Sequence, residues 1–356
     1  MAPSSFIRPK KGELHVFSSM SEVEGLVSRE GLNLVVRNGY VYDIKHFLEV
    51  VKHPGGKSIV EREMGTDIGT KMENFEHSDT AYDMLELYKV GYIEGMTSGE
   101  ASAIRANSQR AKNLGYSSDD LKSALSKLDL SRELVSQIWE YKLIPQEYLA
   151  FTNDPKILDS SALLYDNPVM ESLTKTQLRY VVMFWLTAII SLLVGAYSGK
   201  VGVGIQVLAF VFGWFFWTFI EYILHRFIFH KLEEDSNKGR VWRTIHFLFH
   251  GSHHAYPQDR ERVAFSIMAN CLATTIVFVI IFGPFGFPRC SFIILAGSLS
   301  GYLFYDIVHN AIHHSKSENF YMRWVKKHHL KHHFRHPNNL YGVTSTFWDH
   351  VFGTLI

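Results

Sequence analysis

Cysteine is almost missing from this chain: 356 residues hold two, Cys271 and Cys290, both in or beside long apolar stretches. That excludes a disulfide scaffold, because thiols so few and so placed would gain little from oxidative folding. A surplus of one charge is missing too, with 36 basic against 35 acidic residues. Nucleic acid is thereby excluded as the main partner, since phosphate binding needs a clear cationic excess. The N-terminus, MAPSSFIRPKKGELHVF, lacks an apolar core of the secretory kind, so the front of the chain is expected to stay cytosolic. Long uncharged runs are absent from the first half and concentrated in the second.

Residues 10–95 read as a small α+β domain, with strand-like alternation in LNLVVRNGYVYDI broken by the turn Asn38-Gly39. Residues 96–165 are rich in Ser, Asp and Lys and read as a partly helical linker. One good helical period, SSDDLKSALSKLDLSRELV, starts where Ser118 and Asp119 can cap it. Residues 166–356 read as an all-α integral membrane domain. Tyr180 to Ser198, Val201 to Ile220 and Val263 to Phe287 are uncharged runs of 19, 20 and 25 residues, each able to cross a bilayer as a helix. Cys290 to Tyr305 adds 16 more and continues apolar past Asp306. The four expected spans are about 180–198, 201–223, 263–287 and 290–312.

The loops set an expected topology. Gly199-Lys200 and Pro288-Arg289 carry one positive charge each, whereas His225 to Arg262 carries seven and Ser315 to Ile356 six. The basic segments should face the cytosol, and with them both termini.

Of the 19 histidines, 15 fall between His225 and His350. They come in groups: His225 and His230; His250, His253 and His254; His309 and His313; His329, His332 and His333. Residues three and four apart share a helix face, so each of the last three groups can aim its imidazoles at a common point. The first pair differs, since five residues turn an α-helix by about 140°. Either the helix breaks near His230 or the two serve opposite sides of a cluster. Ten ligands exceed what one ion holds, whereas two ions sharing them take five each and keep a vacant position for dioxygen. All-imidazole ligation suits iron, zinc or copper. His246, His314, His328 and His336 lie close by and are expected to be outer or spectator groups. Asp306, one turn before His309, either accepts the outer ring N–H of a ligand or bonds a neighbouring Tyr or Arg at the helix end.

The pattern HRFIFH, HGSHH, HNAIHH and HHLKHH, followed by FWDHVFGT, resembles the fatty acid hydroxylase superfamily from about Asp166 to the C-terminus. In particular it resembles the branch that hydroxylates carbon 2 of fatty acyl groups for sphingolipid synthesis. The resemblance implies a di-metal site at the cytosolic face of the endoplasmic reticulum membrane, held by the ten histidines grouped above. Iron is expected in the working enzyme and zinc is possible in isolated protein. In the front half, VYDIKHFLEVVKHPGG resembles the haem-binding signature of cytochrome b5. The resemblance implies haem b, with His53 and His77 as axial ligands. Two imidazoles on opposite haem faces leave no open position, so such an iron passes electrons instead of binding oxygen. An NADPH- or NADH-dependent cytochrome b5 reductase is the expected electron source and a lipid acyl chain the expected substrate.

Charge supplies an independent link. Tyr40 to Glu100 carries a net −6, while the two basic blocks of the membrane domain carry +2 and +4. Opposite fields of this size orient docking of a haem edge over the metal site. Two other readings stay open: a related acyl desaturase or sterol methyl oxidase with a similar centre, and a non-enzymatic membrane electron carrier that needs the haem alone.

Overall fold

Alternation decides the N-terminal unit. In the computed structural model, which describes residues 14–50, 53, 56–75, 77, 79–96, 116–140, 143–156, 160–196, 201–286, 288–315 and 319–356, four strands form one sheet. They are β1 (His15–Phe17), β2 (Leu34–Arg37), β3 (Tyr40–Asp43) and β4 (Lys89–Ile93), in the order β1-β4-β3-β2. The expected Asn38-Gly39 turn joins β2 to β3, with φ of 52° and 81°, a left-handed pair that matches the twist of a two-residue hairpin. Successive side chains point to opposite faces. Leu34 and Val36 therefore join Phe17, Val23 and Ile93 in one core, while Val35 joins Tyr42, Leu48, Met72 and Leu85 in another.

Helix α1 (Met20–Glu30) packs on the first face, capped by Ser19 and ended by left-handed Gly31. Helices α2 (Lys45–Val50), α3 (Lys57–Glu61), α4 (Gly69–Asn74) and α5 (Asp79–Glu86) frame the second. The turn residues Pro54 and Gly55, the Gly199-Lys200 loop and the 97–115 stretch lie outside the described residues.

The second part of the expected linker is built into the carboxyl-terminal half of the molecule instead of tethering it. Helices α6 (Ser118–Lys127), α7 (Leu134–Trp139) and α8 (Pro145–Asn153) bury Ala124, Leu134, Ile138, Tyr148 and Phe151 against Phe247, Ala255 and Tyr256. The polar composition suggested a tether because these helices are short and only one face of each is apolar. The cap of α6 is Ser117, one residue earlier than expected, in a capping box with Asp120.

After α9 (Pro168–Leu173), four helices among the described residues are long and apolar enough to cross a membrane: Leu178–Ala196, Val203–Lys238, Ile267–Phe285 and Arg289–His314. Within them run α10 (Leu178–Ala196), α11 (Val203–Ile223), α12 (His230–Asp235), then after α13 (Arg240–His246) and α14 (Ser252–Ala255), α15 (Ile267–Phe282) and α16 (Arg289–His314). Apolar side chains such as Val194, Leu208, Leu272 and Ile280 point outward and exposed, the signature of lipid-facing helices. The third span begins at Ile267, four residues later than expected, since Val263 to Ser266 leave the helix to line a cavity. Helices α17 (Phe320–Phe334) and α18 (Phe347–Val351) close the chain.

Helices α11 and α16 touch backbone to backbone. A Cβ on Gly213 would stand 2.0 Å from Ile294 O and one on Gly297 2.1 Å from Phe210 O, so only glycine fits at either place. Small residues at such contacts let membrane helices approach and pack. Gly297→Val is expected to cost about 1–3 kcal/mol through overpacking. Because α16 carries His309 and His313, metal content should fall together with the melting temperature, both measurable on detergent-purified protein.

Candidate metal centre

Helix α11 does not simply end at Ile223; its hydrogen bonding widens. Leu224–Phe229 is a π-helical turn, in which i→i+5 bonding brings residues five apart back to one face. His225 and His230 therefore face the same point. Neither expectation for this pair holds: the helix does not break, and the two histidines are not on opposite sides. A second π turn, Phe247–Gly251, contains His250 and leads into His253 and His254.

All ten grouped histidines are buried and converge as two sets of five. The first set is His225, His230, His250, His254 and His332; the second is His253, His309, His313, His329 and His333. Within each set, one ligand atom per residue lies within 4.8 Å of every other. His309 and His313 share one set as expected, whereas the two groups of three are split between the sets, contrary to the expectation of one target per group. His250 and His254 turn one way and His253 the other; His329 and His333 turn one way and His332 the other. Adjacent helical residues diverge by about 100°, so a neighbouring pair such as His253-His254 naturally serves two centres.

The spacing tests the fit of metal. Nε2 of His230 is 3.2 Å from Nε2 of both His250 and His332. Nε2 of His329 is 2.9–3.1 Å from those of His309, His313 and His333. Nitrogens bound at about 2.1 Å and at right angles are about 3.0 Å apart, whereas tetrahedral ones are about 3.4 Å apart. The contacts thus fit five- or six-coordinate ions with a position to spare. Burial keeps the imidazoles outside the spans neutral: His253 is pushed down to about 3, and His250, His254, His329, His332 and His333 well below the usual histidine value. Their lone pairs are free to bind cations.

Outer ring nitrogens distinguish the sets. In the first, His230 Nδ1 meets Glu233 Oε2 at 2.9 Å, His225 Nδ1 meets Tyr341 O at 2.6 Å and His332 Nδ1 meets Asn339 O at 2.7 Å. Glu233 is in turn held by Asn153 Nδ2 of α8. Such acceptors orient a metal-binding imidazole and raise its basicity. Glu233 was not foreseen, although an acidic residue three after His230 was a readable sign. Asp306 does not take that role. It is buried and faces Tyr302 without a well-formed hydrogen bond, and His309 Nδ1 beside it has no protein acceptor among the described residues.

The four flanking histidines stand outside both sets. His246 is buried, pushed down to about 4 chiefly by that burial, and meets the Tyr148 hydroxyl at 2.7 Å. His328 meets Trp324 O, while His314 and His336 have partners elsewhere.

A cavity of about 230 Å³ opens onto both sets, reaching His225 and His250 of the first and His253, His309 and His329 of the second. Phe229, Leu248, Phe249, Val263, Phe265 and Ala269 give it an apolar wall, and Thr174, Ser252 and Ser266 a few hydroxyls. Arg262 is its one Lys or Arg among the described residues, and its guanidinium is spent on Glu171 at 2.5 Å, Asp259 at 2.7 Å and Ala162 O at 2.6 Å.

In the N-terminal unit, the rings of His53 and His77 lie 5.9 Å apart, centroid to centroid. Imidazoles bound at about 2.0–2.1 Å on opposite sides of one ion have centroids about 6 Å apart, so the pair fits a haem iron. His77 Nδ1 lies 3.0 Å from Met72 O, which leaves Nε2 as the free donor. Lys326 and Arg335, in and just after α17, stand near enough to act on His53 and His77. Cations of the membrane half thus face the haem side of an acidic unit.

Residues 210–354 match the fatty acid hydroxylase family, and residues 19–94 the cytochrome b5-like haem/steroid binding domain. A ceramide very long chain fatty acid hydroxylase of Saccharomyces cerevisiae is 33% identical over 90% of this chain and 89% of its own length. The fatty acid 2-hydroxylase of Mus musculus is 29% identical over 90% and 91%. A dihydroceramide fatty acyl 2-hydroxylase of Arabidopsis thaliana is 33% identical over 64% of this chain and 93% of its own. The solved structure of full-length scs7p, with only its hydroxylase domain visible, superposes with a TM-score of 0.61 at 33% identity, covering 69% of this chain and 92% of that one.

Fold and site define a membrane-embedded oxidoreductase with a histidine-rich di-metal site and a fused haem domain. The chain belongs to the fatty acid hydroxylase family, in the group whose members carry a cytochrome b5 domain.

Burial lowers both haem histidines from the usual 6.5, His53 to about 3. Groups depressed in the folded state contribute stability that is full above about 6.5 and is lost as pH falls toward 3. Haem absorbance should therefore decline over that interval. His77→Ala should abolish the six-coordinate haem spectrum while leaving the metal content of the membrane half unchanged.

Proposed function

We propose that this chain adds a hydroxyl at carbon 2 of the long acyl chain of a sphingolipid, using dioxygen and electrons delivered through its own haem domain. The observation that carries this reading is an apolar cavity floored by members of both histidine sets. The first set would hold one ion and the second set another, with iron as the working metal; His53 and His77 would hold haem b. When bound, the metal pair supplies the oxidising power that places an oxygen atom on an unactivated C–H bond, and the haem supplies electrons.

The chain's own residues set what is oxidised. At about 230 Å³ the cavity is smaller than the roughly 300–1,000 Å³ of pockets that swallow a whole drug-sized ligand. It takes the reacting end of an acyl chain and leaves the tail in lipid. C–H bonds along that chain are chemically alike, so regiochemistry comes from position. A carbonyl held at the hydroxyl-bearing rim brings carbon 2 next to the histidine floor. A free carboxylate would need an available cation, and Arg262 is already neutralised by Glu171 and Asp259. An amide-linked acyl chain suits this rim better, in keeping with the ceramide and dihydroceramide in two relatives' names. Buried apolar walls keep water from the reacting carbon, and Glu233 fixes the His230 tautomer.

The excess of Lys and Arg in the segments that build the site supports a cytosolic position for it and for both termini. Residence in the endoplasmic reticulum and a nicotinamide-dependent cytochrome b5 reductase complete the reading.

The test is mass spectrometry of lipids from a host that makes no 2-hydroxy lipids. Expression should produce 2-hydroxyacyl ceramide, and His250→Ala or His329→Ala should abolish product and lower metal content while the haem spectrum survives. Product in the double-bond or sterol fraction, or undiminished product from both variants, would overturn it.

A further inference from the structure

The chain from Asn339 to Thr344 lies over the first histidine set and has no helix or strand of its own to hold its shape. Leu340 sits at φ 60°, and a Cβ on Gly342 would lie 2.0 Å from Ser345 O. Two buried carboxylates grip the segment from beneath. Glu221, two residues from the end of α11, accepts from Val343 N at 2.6 Å, Thr344 N at 2.9 Å and Thr344 Oγ1 at 2.7 Å. Asp349 accepts from Tyr341 N and Gly342 N, each at 2.8 Å, and from Thr354 Oγ1 at 2.7 Å. Four consecutive amides, 341 to 344, are thus turned toward carboxylates. The carbonyls of Asn339 and Tyr341 face the other way and take the Nδ1–H of His332 and His225.

We propose that Glu221 and Asp349 are positioning residues for one metal ion only: by holding this strap they fix the tautomer and aim of His225 and His332. Neither carboxylate bonds a histidine of the set, so the effect travels through the backbone. An imidazole that donates Nδ1–H to a fixed carbonyl presents its Nε2 lone pair to the ion and loses less freedom on binding. The second set has no such support. The Nδ1 atoms of His309, His313, His329 and His333 have no protein acceptor among the described residues. The two ions are therefore held unequally, and loosening the strap acts on the first.

This inference rests on the di-metal reading above, and the experiment separates the two. Full-length protein is purified in detergent, and bound metal per chain is measured by mass spectrometry as chelator is raised, with haem absorbance and monodispersity as checks on folding. His313→Ala removes a second-set ligand, leaving the first-set ion as the one retained; His250→Ala does the reverse. On the His313→Ala background, Asp349→Asn or Glu221→Gln should make the remaining ion about 10–100-fold easier to remove. On the His250→Ala background the same changes should leave retention as it was. Equal loosening on both backgrounds, or none on the first, overturns the proposal. If those variants fail to fold, Thr344→Val removes one Glu221 bond and should give a smaller shift with the same selectivity; no shift overturns it. Wild-type protein that binds no metal at all would instead sink the di-metal reading.

Discussion

Ten buried imidazoles gathered into two sets, seven of them with ring nitrogens only 2.9–3.2 Å apart, are the constraint to which the rest of this structure answers. Lone pairs at that separation repel unless cations stand between them. Every element that reaches the site is shaped to bring nitrogen to it. A π turn rotates His225 and His230 onto one face, another π turn and α14 deliver the second group, and α16 and α17 cross to supply the rest. The glycines that let α11 and α16 touch matter for the same reason, since a wider gap between those helices would part the ligands they carry.

Support around the two sets is uneven. Backbone carbonyls and Glu233 take the outer nitrogens of the first set, and α8, in a stretch of chain that looks like a tether, holds Glu233 through Asn153. The second set is framed by packing alone. Unequal surroundings give two chemically similar centres different grip on their metals, because the basicity and orientation of an imidazole depend on what its other nitrogen donates to. The basic residues near the haem histidines add a third polarity, in which an acidic electron-carrying unit meets cations of the membrane half.

Much of the architecture was readable because its causes are local. Uncharged runs announce the spans, alternation around Asn38-Gly39 announces the sheet, and histidines at helical spacing announce metal. What escaped reading depends on contacts distant in sequence. The helices between Ser118 and Asn153 look polar because each is short, and their burial against Phe247 and Tyr256 shows only when the chain is folded. Asp306 attracted notice as a charge in an apolar run, yet the carboxylates that hold the first set together are Glu233, Glu221 and Asp349, the last two acting from 122 and 8 residues away on the segment they grip.

Composition and spacing by themselves determined that the chain has a small α+β unit followed by apolar spans and a dense field of histidines, because burial preference and helical period are written residue by residue. Tertiary structure alone decided how that field divides into two sets of five. The division depends on π turns and on neighbouring residues pointing about 100° apart, and the choice of which imidazole meets which centre is made only where four separate helices meet.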